Sequence, residues 1–170
     1  MKTKILLLMI LILLILSGCS DKTAHVSLQD ELDNVLKEAD IHAERILHYE
    51  IKGNGVVAFY VKDNGIDSSY VEYNSGKWQL VDSSGSASLV ETDLPISYVW
   101  EYTNDKPFRA VFGSVNQERI TQVKVNGEPA KIIKFGDGTT LWYAILEEPY
   151  SNEDKLEAFS DSGEMVYKKE

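Results

Sequence analysis

The chain has 170 residues, 17 Lys and Arg, 27 Asp and Glu, a single Cys and 44 % apolar residues. This length suits one domain or two small ones, and a single Cys excludes an intramolecular disulfide and a Cys-based structural zinc site. The net charge of −10 argues against a nucleic-acid-binding protein, because binding to phosphates requires clustered Lys and Arg.

The N-terminal segment combines positive charge with an apolar run. Lys2 and Lys4 precede twelve apolar residues, from Ile5 to Leu16. As a helix this run would be about 18 Å long, shorter than the roughly 30 Å hydrocarbon core of a bilayer. A short apolar run behind basic residues is typical of a secretory signal peptide. We therefore predict that residues 1–18 are a signal peptide for general secretion.

The most specific motif in the chain is Leu16-Ser17-Gly18-Cys19. It resembles the lipobox of bacterial lipoproteins. The resemblance implies that signal peptidase II recognises Leu16, Ser17 and Gly18 and cleaves before Cys19. It also implies that the Cys19 thiol carries diacylglycerol and that the new amino group receives an acyl chain such as palmitate. An ordinary signal peptide followed by a chance Cys is the alternative.

Lipidation of Cys19 would fix the location of the protein. Two or three acyl chains anchor a protein stably where a single chain does not. Residues 19–27 then form the lipidated Cys and a short, mostly polar tether. We therefore expect membrane lipid as a partner and a location at the extracytoplasmic face of the cell membrane.

The segment after the tether has helical periodicity. Ser27 is a good N-cap, and Asp30 and Glu31 suit the positive end of a helix dipole. Apolar residues recur at helical spacing at Leu28, Leu32, Val35, Leu36 and Ala39. This pattern predicts one amphipathic helix over 28–39 whose apolar stripe packs on the core. Docking of a partner helix on the stripe is the alternative.

Beyond residue 40 the apolar pattern changes to that of β-strands. Gly- and Asn-rich turns separate short strands over 46–51, 56–61, 70–73 and 77–81. Residues 28–82 are therefore predicted to be a helix followed by an antiparallel β-meander. The Ser-rich stretch 83–88 and Pro95 suggest a linker over 83–95.

The second half, 96–170, is predicted to be almost entirely strand. Its strands are expected over 96–102, 108–112, 120–125, 130–135, 141–146, 156–159 and 165–167. Asn126-Gly127 is the favoured pair for a type I′ hairpin turn. The spacing predicts a small β-sandwich or a strongly twisted sheet. The whole chain is therefore predicted to be α+β, mostly antiparallel β, with one N-terminal helix.

The layout of residues 28–168 is also similar to that of small secreted lipoproteins of Bacillus-type bacteria. The stretches that carry this resemblance are 56–60, 76–78, 112–115, 141–145 and 156–159. All five consist mainly of packing residues. The resemblance implies a host class and no activity.

Only three histidines could serve as a catalytic base or metal ligand: His25, His42 and His48. No Gly-x-Ser-x-Gly nucleophile elbow accompanies them. The spacing of His42, Glu44 and His48 matches neither a helix-borne zinc site nor a zinc finger. We therefore expect solvated histidines, no metal site, no cofactor and no catalytic residue.

Carboxylates offer two further candidate sites. Glu147-Glu148 at a strand end is a candidate for a glycosidase acid, but adjacent strand residues point to opposite faces. The segment 63–67 contains part of a calcium-loop pattern and lacks its terminal Glu. A turn is the preferred interpretation.

Aromatic residues are the remaining candidates. Tyr98, Trp100 and Tyr102 alternate along one predicted strand and would therefore share a face. An exposed aromatic row suits stacking on sugars, whereas a buried row would be core packing, which is more common for Trp and Tyr in small β domains.

These observations predict a lipid-anchored extracytoplasmic protein. Its expected role is non-enzymatic binding to the cell wall or to a membrane protein. The alternative is a carboxylate-dependent or metal-assisted hydrolase that acts on cell-envelope material.

Overall fold

A computed structural model describes residues 26–90, 93–101, 106, 108–148 and 151–169. Within these residues the protein is mostly antiparallel β-sheet with one short helix, which agrees with the predicted α+β class. The predicted signal peptide and the lipobox, including Cys19, lie outside the described residues.

The described part of the chain contains helix α1 and strands β1 to β12. The helix and the first four strands are α1 Leu28–Glu38, β1 Arg45–Lys52, β2 Gly55–Lys62, β3 Gly65–Asn74 and β4 Lys77–Ser88. The next four are β5 Val99–Trp100, β6 Arg109–Ser114, β7 Ile120–Val125 and β8 Glu128–Pro129. The last four are β9 Lys131–Lys134, β10 Thr140–Leu146, β11 Leu156–Ser160 and β12 Met165–Lys169.

Helix α1 begins with a capping box. The Ser27 hydroxyl accepts a hydrogen bond from the Asp30 N–H, and the Asp30 carboxylate accepts one from the Ser27 N–H. These two bonds satisfy main-chain donors that the first turn of a helix leaves unpaired. The local sequence therefore fixes where the helix starts.

The strands form three four-stranded antiparallel sheets. The first sheet has the order β1-β2-β3-β4. The central sheet has the order β5-β6-β10-β9. The outer sheet has the order β12-β11-β7-β8.

The central sheet is covered on both faces. Ala110 and Phe112 of β6 pack in one cluster with Phe59 of the first sheet. Val111, which lies between them, packs in a second cluster with Val123 of the outer sheet. Successive residues of a strand point to opposite faces. This burial on both sides explains why all six residues of β6 are buried.

Helix α1 covers the other face of the first sheet. Leu32 and Val35 pack there against Val56, Ala58 and Val71. Leu32 is completely buried, and truncating a buried Leu to Ala costs about 2–5 kcal/mol. The order of layers is therefore helix, first sheet, central sheet and outer sheet.

The chain passes from the outer to the central sheet at a corner. β7 and β8 are joined through Asn126 and Gly127, both with positive φ (54° and 85°), as the predicted type I′ turn requires. The Ala130 N–H then donates to the Val123 carbonyl, and β9 continues beside β10. One extended segment thus belongs to two sheets, as at the corners of β-sandwiches.

The predicted linker over 83–95 is wrong for its first six residues. Ser83 to Ser88 belong to β4 and pair with β3. The strands approach closely at one position, where a Cβ on Gly65 would lie 1.7 Å from the Ser86 hydroxyl. The Ser-rich stretch is therefore part of a sheet and not a linker.

The predicted division into subdomains 28–82 and 96–170 does not correspond to two cores. Val57 and Ile66 from the first half pack in the same cluster as Phe112 and Tyr143 from the second. The predicted strand 96–102 is also shorter than expected. In its described part the regular strand is Val99–Trp100, with an isolated bridge at Ile96.

Candidate binding groove

A groove of about 640 Å³ opens where the central sheet loses its edge strand. β9 pairs with β10 only as far as Lys131 opposite Tyr143, whereas β10 continues to Leu146. The corner at β8 forms the opposite wall. The apolar lining includes Val125, Pro129, Ala144 and Leu146, and the acidic lining consists of Glu50, Glu128, Glu147 and Glu148.

Three polar side chains converge on one side of the groove. The Lys131 ammonium contacts both oxygens of the Glu50 carboxylate, at 2.8 and 2.9 Å. The Tyr143 hydroxyl donates to the same carboxylate at 2.7 Å. Glu50 comes from the first sheet, whereas Lys131 and Tyr143 come from the central sheet. These contacts therefore join two layers.

His48 completes this arrangement, which we call the groove cluster (His48, Glu50, Lys131 and Tyr143). Its Nε2 atom lies 2.9 Å from the Tyr143 hydroxyl. The hydroxyl has one proton and gives it to Glu50. The Nε2–H of His48 must therefore be the donor to the hydroxyl oxygen, which assigns the tautomer by its partners.

The groove cluster holds Glu50 charged and Tyr143 neutral. Burial alone would raise the pKa of Glu50, but hydrogen bonds from Lys131 and Tyr143 and the Lys131 charge outweigh it and lower that pKa. Burial raises the pKa of Tyr143 well above its usual value, and the bond to the charged Glu50 adds to this effect. At neutral pH Tyr143 is therefore a hydrogen-bond donor and not a nucleophile.

Glu147 is held in a similar way at the end of β10. The Lys52 ammonium contacts its carboxylate at 2.7 Å, and this hydrogen bond, together with the Lys52 charge, lowers the pKa of Glu147. The remaining two acidic residues, Glu128 and Glu148, are exposed and form ion pairs with no described residue. The two unpaired carboxylates make the groove an acidic surface.

A buried ion pair supports the far wall of the groove. Arg109 contacts the Asp154 carboxylate at 2.7 Å and donates to the Glu148 carbonyl at 3.0 Å. Asn126 donates to the same Asp154 carboxylate at 2.8 Å. Arg109 and Asp154 are both almost completely buried. These contacts fix the position of the Glu148 main chain and of the turn between β7 and β8.

A second cross-sheet cluster lies away from the groove. We call it the sealed cluster (Ser68, Asp82, Ser84, Glu101 and Lys106). The Lys106 ammonium lies 2.7 Å from the Glu101 carboxylate and 3.2 Å from that of Asp82. Glu101 also accepts hydrogen bonds from both Ser hydroxyls and from the Ala110 N–H. Every polar atom of this carboxylate is occupied, which suits a structural role.

The predicted aromatic row is not an exposed platform where it is described. Trp100 is only 7 % exposed and packs in the cluster shared with the outer sheet. Tyr98 is half-buried, and the Lys169 ammonium lies 4.7 Å from its ring centroid. Tyr102 lies outside the described residues. The outer sheet covers this face, so core packing is the better interpretation of Trp100, and a binding role for the row stays a prediction.

The other sequence candidates do not converge. Among the described residues, no group of three or more His, Asp or Glu side chains is placed to hold a metal ion. His42 is exposed beside Asp40, whereas His48 belongs to the groove cluster. His25 lies outside the described residues. Asp63 and Asn64 both have positive φ and form the turn between β2 and β3.

The sequence candidates included His48 but not its partners Glu50, Lys131 and Tyr143, which are far apart in the chain. The Glu50–Lys131 pair spans 81 residues, and the Glu50–Tyr143 pair spans 93. No local motif could have joined them. The alternation of His48, Glu50 and Lys52 along β1 is the one available signal, since it places three polar residues on a single face.

Comparisons with known proteins add no assignment: no protein-family model matches the chain, and neither a curated protein nor a solved structure is significantly similar to it. Within the described residues, no helix has the length and apolarity needed to cross a membrane.

Proposed function

We propose that this protein is a lipid-anchored extracytoplasmic protein at the cell membrane and that it binds an envelope component through the groove without catalysing a reaction. The anchor is proposed from the lipobox and Cys19. The binding role is supported by one observation above all. The acidic groove is open at the end of β10, while the polar groups on one side of it are already fixed by one another.

The ion pairs that Glu50 and Glu147 form with lysines favour binding over catalysis. A glycoside hydrolase requires one carboxyl group with a raised pKa to act as general acid. The pKa values of Glu50 and Glu147 are both lowered, so these groups remain ionised at neutral pH. A fixed, charged surface is suited to recognising a ligand.

The hydrolase remains the second candidate because four carboxylates line one groove. Its acid and base would have to be Glu128 and Glu148, since Glu50 and Glu147 are held by lysines. Loss of hydrolytic activity on purified peptidoglycan in the Glu128→Gln and Glu148→Gln variants would support it. The absence of any activity in the native chain would dismiss it.

The anchor is tested by metabolic labelling with palmitate and by detergent phase separation. The native chain should carry the label and enter the detergent phase, and the Cys19→Ser chain should carry no label. A Cys19→Ser chain that is still labelled would contradict the proposed anchor.

The groove is tested with a photo-crosslinking side chain at Pro129, an exposed residue of the groove wall. The same side chain at Ser162, in the exposed turn between β11 and β12, is the matched control. We expect an adduct with a cell-envelope component from position 129 only. Equal adducts from both positions, or none, would contradict a binding role for the groove.

A further inference from the structure

We propose that the open end of β10 binds an extended basic peptide segment, which adds to the central sheet as a further strand. This proposal rests on the proposed binding role of the groove and names the class of its partner. A peptide that adds to a sheet edge gains main-chain hydrogen bonds, while alternate side chains provide specificity.

The first observation is that the edge of β10 is unpaired inside the groove. Ala144, Ile145 and Leu146 pair with β6 on one side. On the other side β9 ends at Lys131, and none of the described residues replaces it. The missing strand is the direct result of the corner at β8, because the residues before β9 belong to the outer sheet.

The second observation is the direction of the main-chain groups. The Thr139 carbonyl accepts from Phe135 on the β9 side, whereas the Thr140 carbonyl accepts from Val115 on the β6 side. Main-chain groups alternate between the two sides of a strand. The N–H and C=O of Ile145 therefore point towards the open side, where a peptide could pair with them.

The third observation is that two other edges, those of β1 and β12, are protected. The edge strand β1 carries Arg45 and Lys52, and the edge strand β12 carries Lys168 and Lys169. Charged residues, Lys above all, discourage pairing at exposed edges. The open end of β10 instead carries three apolar residues.

The charge of the groove identifies the partner. The lining of the groove contains four carboxylates and one ammonium group, that of Lys131. This ammonium group is already paired with Glu50. Glu128 and Glu148 remain available for ligand cations. Val125 and Pro129 lie in the same lining. The stems of Lys or Arg side chains would cover this apolar surface while their charged ends reach the two carboxylates.

The geometry also sets the length of the segment. A strand rises about 3.3 Å per residue, so the open strand residues, Ala144 to Leu146, offer an edge of roughly 10 Å. An extended peptide of about five residues would cover it and pass the acidic bend that follows, with basic residues at alternate positions facing the outer sheet. The occupant is thus a protein segment, whereas a cell-wall glycan has no strand edge to offer.

The test measures binding of fluorescent six-residue peptides to the full chain in non-ionic detergent. The probe alternates Lys and Val. One comparison peptide has Glu in place of Lys, and another has N-methyl groups on alternate main-chain nitrogens. We expect binding of the Lys–Val peptide and a loss of about fivefold in affinity for each main-chain bond that N-methylation removes. The Glu–Val peptide should bind at least tenfold more weakly.

Two double variants locate the site. Glu128→Gln/Glu148→Gln should weaken binding of the Lys–Val peptide by roughly fivefold or more. Asp161→Asn/Glu164→Gln removes the same charge from an exposed turn and should leave the affinity unchanged. Equal binding of the N-methylated peptide, or equal effects of the two variants, would overturn the proposal.

The outcomes for this proposal and for the proposed function are distinguishable. If no peptide binds but the crosslink at position 129 still forms, strand addition is wrong and the binding role stands. If the crosslinked component is a wall glycan, the groove binds sugar and the peptide proposal is overturned. If neither peptide nor crosslink is observed, both proposals fall.

Discussion

The groove cluster and the sealed cluster contain the same chemistry in different surroundings. Each pairs a Glu with a Lys and with at least one hydroxyl group, and each joins the first sheet to segments of the central sheet. In the sealed cluster the Glu101 and Lys106 side chains are each 1 % exposed. In the groove cluster the Lys131 side chain is 61 % exposed and Glu50 is 30 % exposed.

The two Glu–Lys pairs are therefore expected to have different roles, because one is buried and the other is in contact with water. A buried ion pair has lost its hydration, so removing one partner leaves a charge that nothing nearby compensates. A pair in contact with water contributes little to folding, because the solvent screens it and can replace it. The sealed cluster is thus expected to stabilise the fold, whereas the groove cluster can shape a binding surface at a small cost in stability.

The largest expected effect is that of Lys106→Met. Removing the buried cation leaves Glu101 and Asp82 facing each other and should lower the free energy of unfolding by about 3–5 kcal/mol. Urea unfolding measures this change. The matched control is Lys131→Met in the groove cluster, where we expect a loss of about 1 kcal/mol or less. Equal losses in the two variants would contradict the difference between the clusters.

Glu101→Gln should have the next largest effect. The substitution keeps the size of the side chain but removes the charge that holds Lys106 and accepts from Ala110. Weakening charged hydrogen bonds should cost about 2–3 kcal/mol in urea unfolding. The double variant with Lys106→Met should lose less than the sum of the single losses, since both remove one interaction. Strict additivity would show that the two residues act independently.

High pH should destabilise the protein through Tyr70, which lies beside the sealed cluster, and through Tyr143 of the groove cluster. Burial, together with the hydrogen bond to Glu72, raises the pKa of Tyr70 to about 12, and the pKa of Tyr143 is raised as well. Below about pH 10 both residues keep their protons in the folded and unfolded states. As the pH rises from 10 towards 12, the unfolded state loses protons first, and stability is lost.

Tyr143→Phe separates the contribution of the groove cluster to the loss of stability at high pH from that of Tyr70. At pH 7 the variant should lose about 1 kcal/mol, because the bonds to Glu50 and His48 disappear. Its unfolding midpoint should then fall less steeply with pH above 10 than that of the native chain. Identical slopes would contradict the role of Tyr143 in the alkaline loss.

The smallest expected effect lies at acid pH. Because the pKa of Glu50 is lowered in the folded state, its contribution is complete above the unfolded pKa near 4.5 and is lost as the pH falls below that value. Glu50→Gln should therefore change stability at pH 7 by roughly 1 kcal/mol or less. It should reduce the acid dependence below pH 4.5. A larger loss at pH 7 would mean that the groove cluster supports the fold as the sealed cluster does.

Local patterns predicted much of the secondary structure. The Asn126-Gly127 hairpin forms as predicted because the type I′ turn depends only on residues that tolerate positive φ. Residues 120–125 and 141–146 were expected to be strands, and β7 and β10 lie there. Individual strands can be predicted because the alternation of apolar and polar residues and the residues of the turns are local properties of the sequence.

The arrangement of the sheets could not be predicted in the same way. The alternation at Trp100 fits both an exposed row and core packing, and the sheet that covers this side chain comes from residues later in the chain. The groove exists because β9 stops at Lys131 while β10 continues. This difference in length between β9 and β10 depends on how the sheets pack, and no local sequence pattern indicates it. The same holds for the Glu50–Lys131 contact across 81 residues.

We assign ligand binding to the groove and stabilisation of the fold to the sealed cluster. This difference is tested most directly by measuring peptide affinity and unfolding free energy for Glu128→Gln/Glu148→Gln and for Lys106→Met. We predict that the groove variant loses affinity for the Lys–Val peptide and changes stability by about 0.5 kcal/mol or less. The Lys106→Met chain should lose stability, and its folded fraction should bind normally. Unchanged affinity in the groove variant would contradict the account.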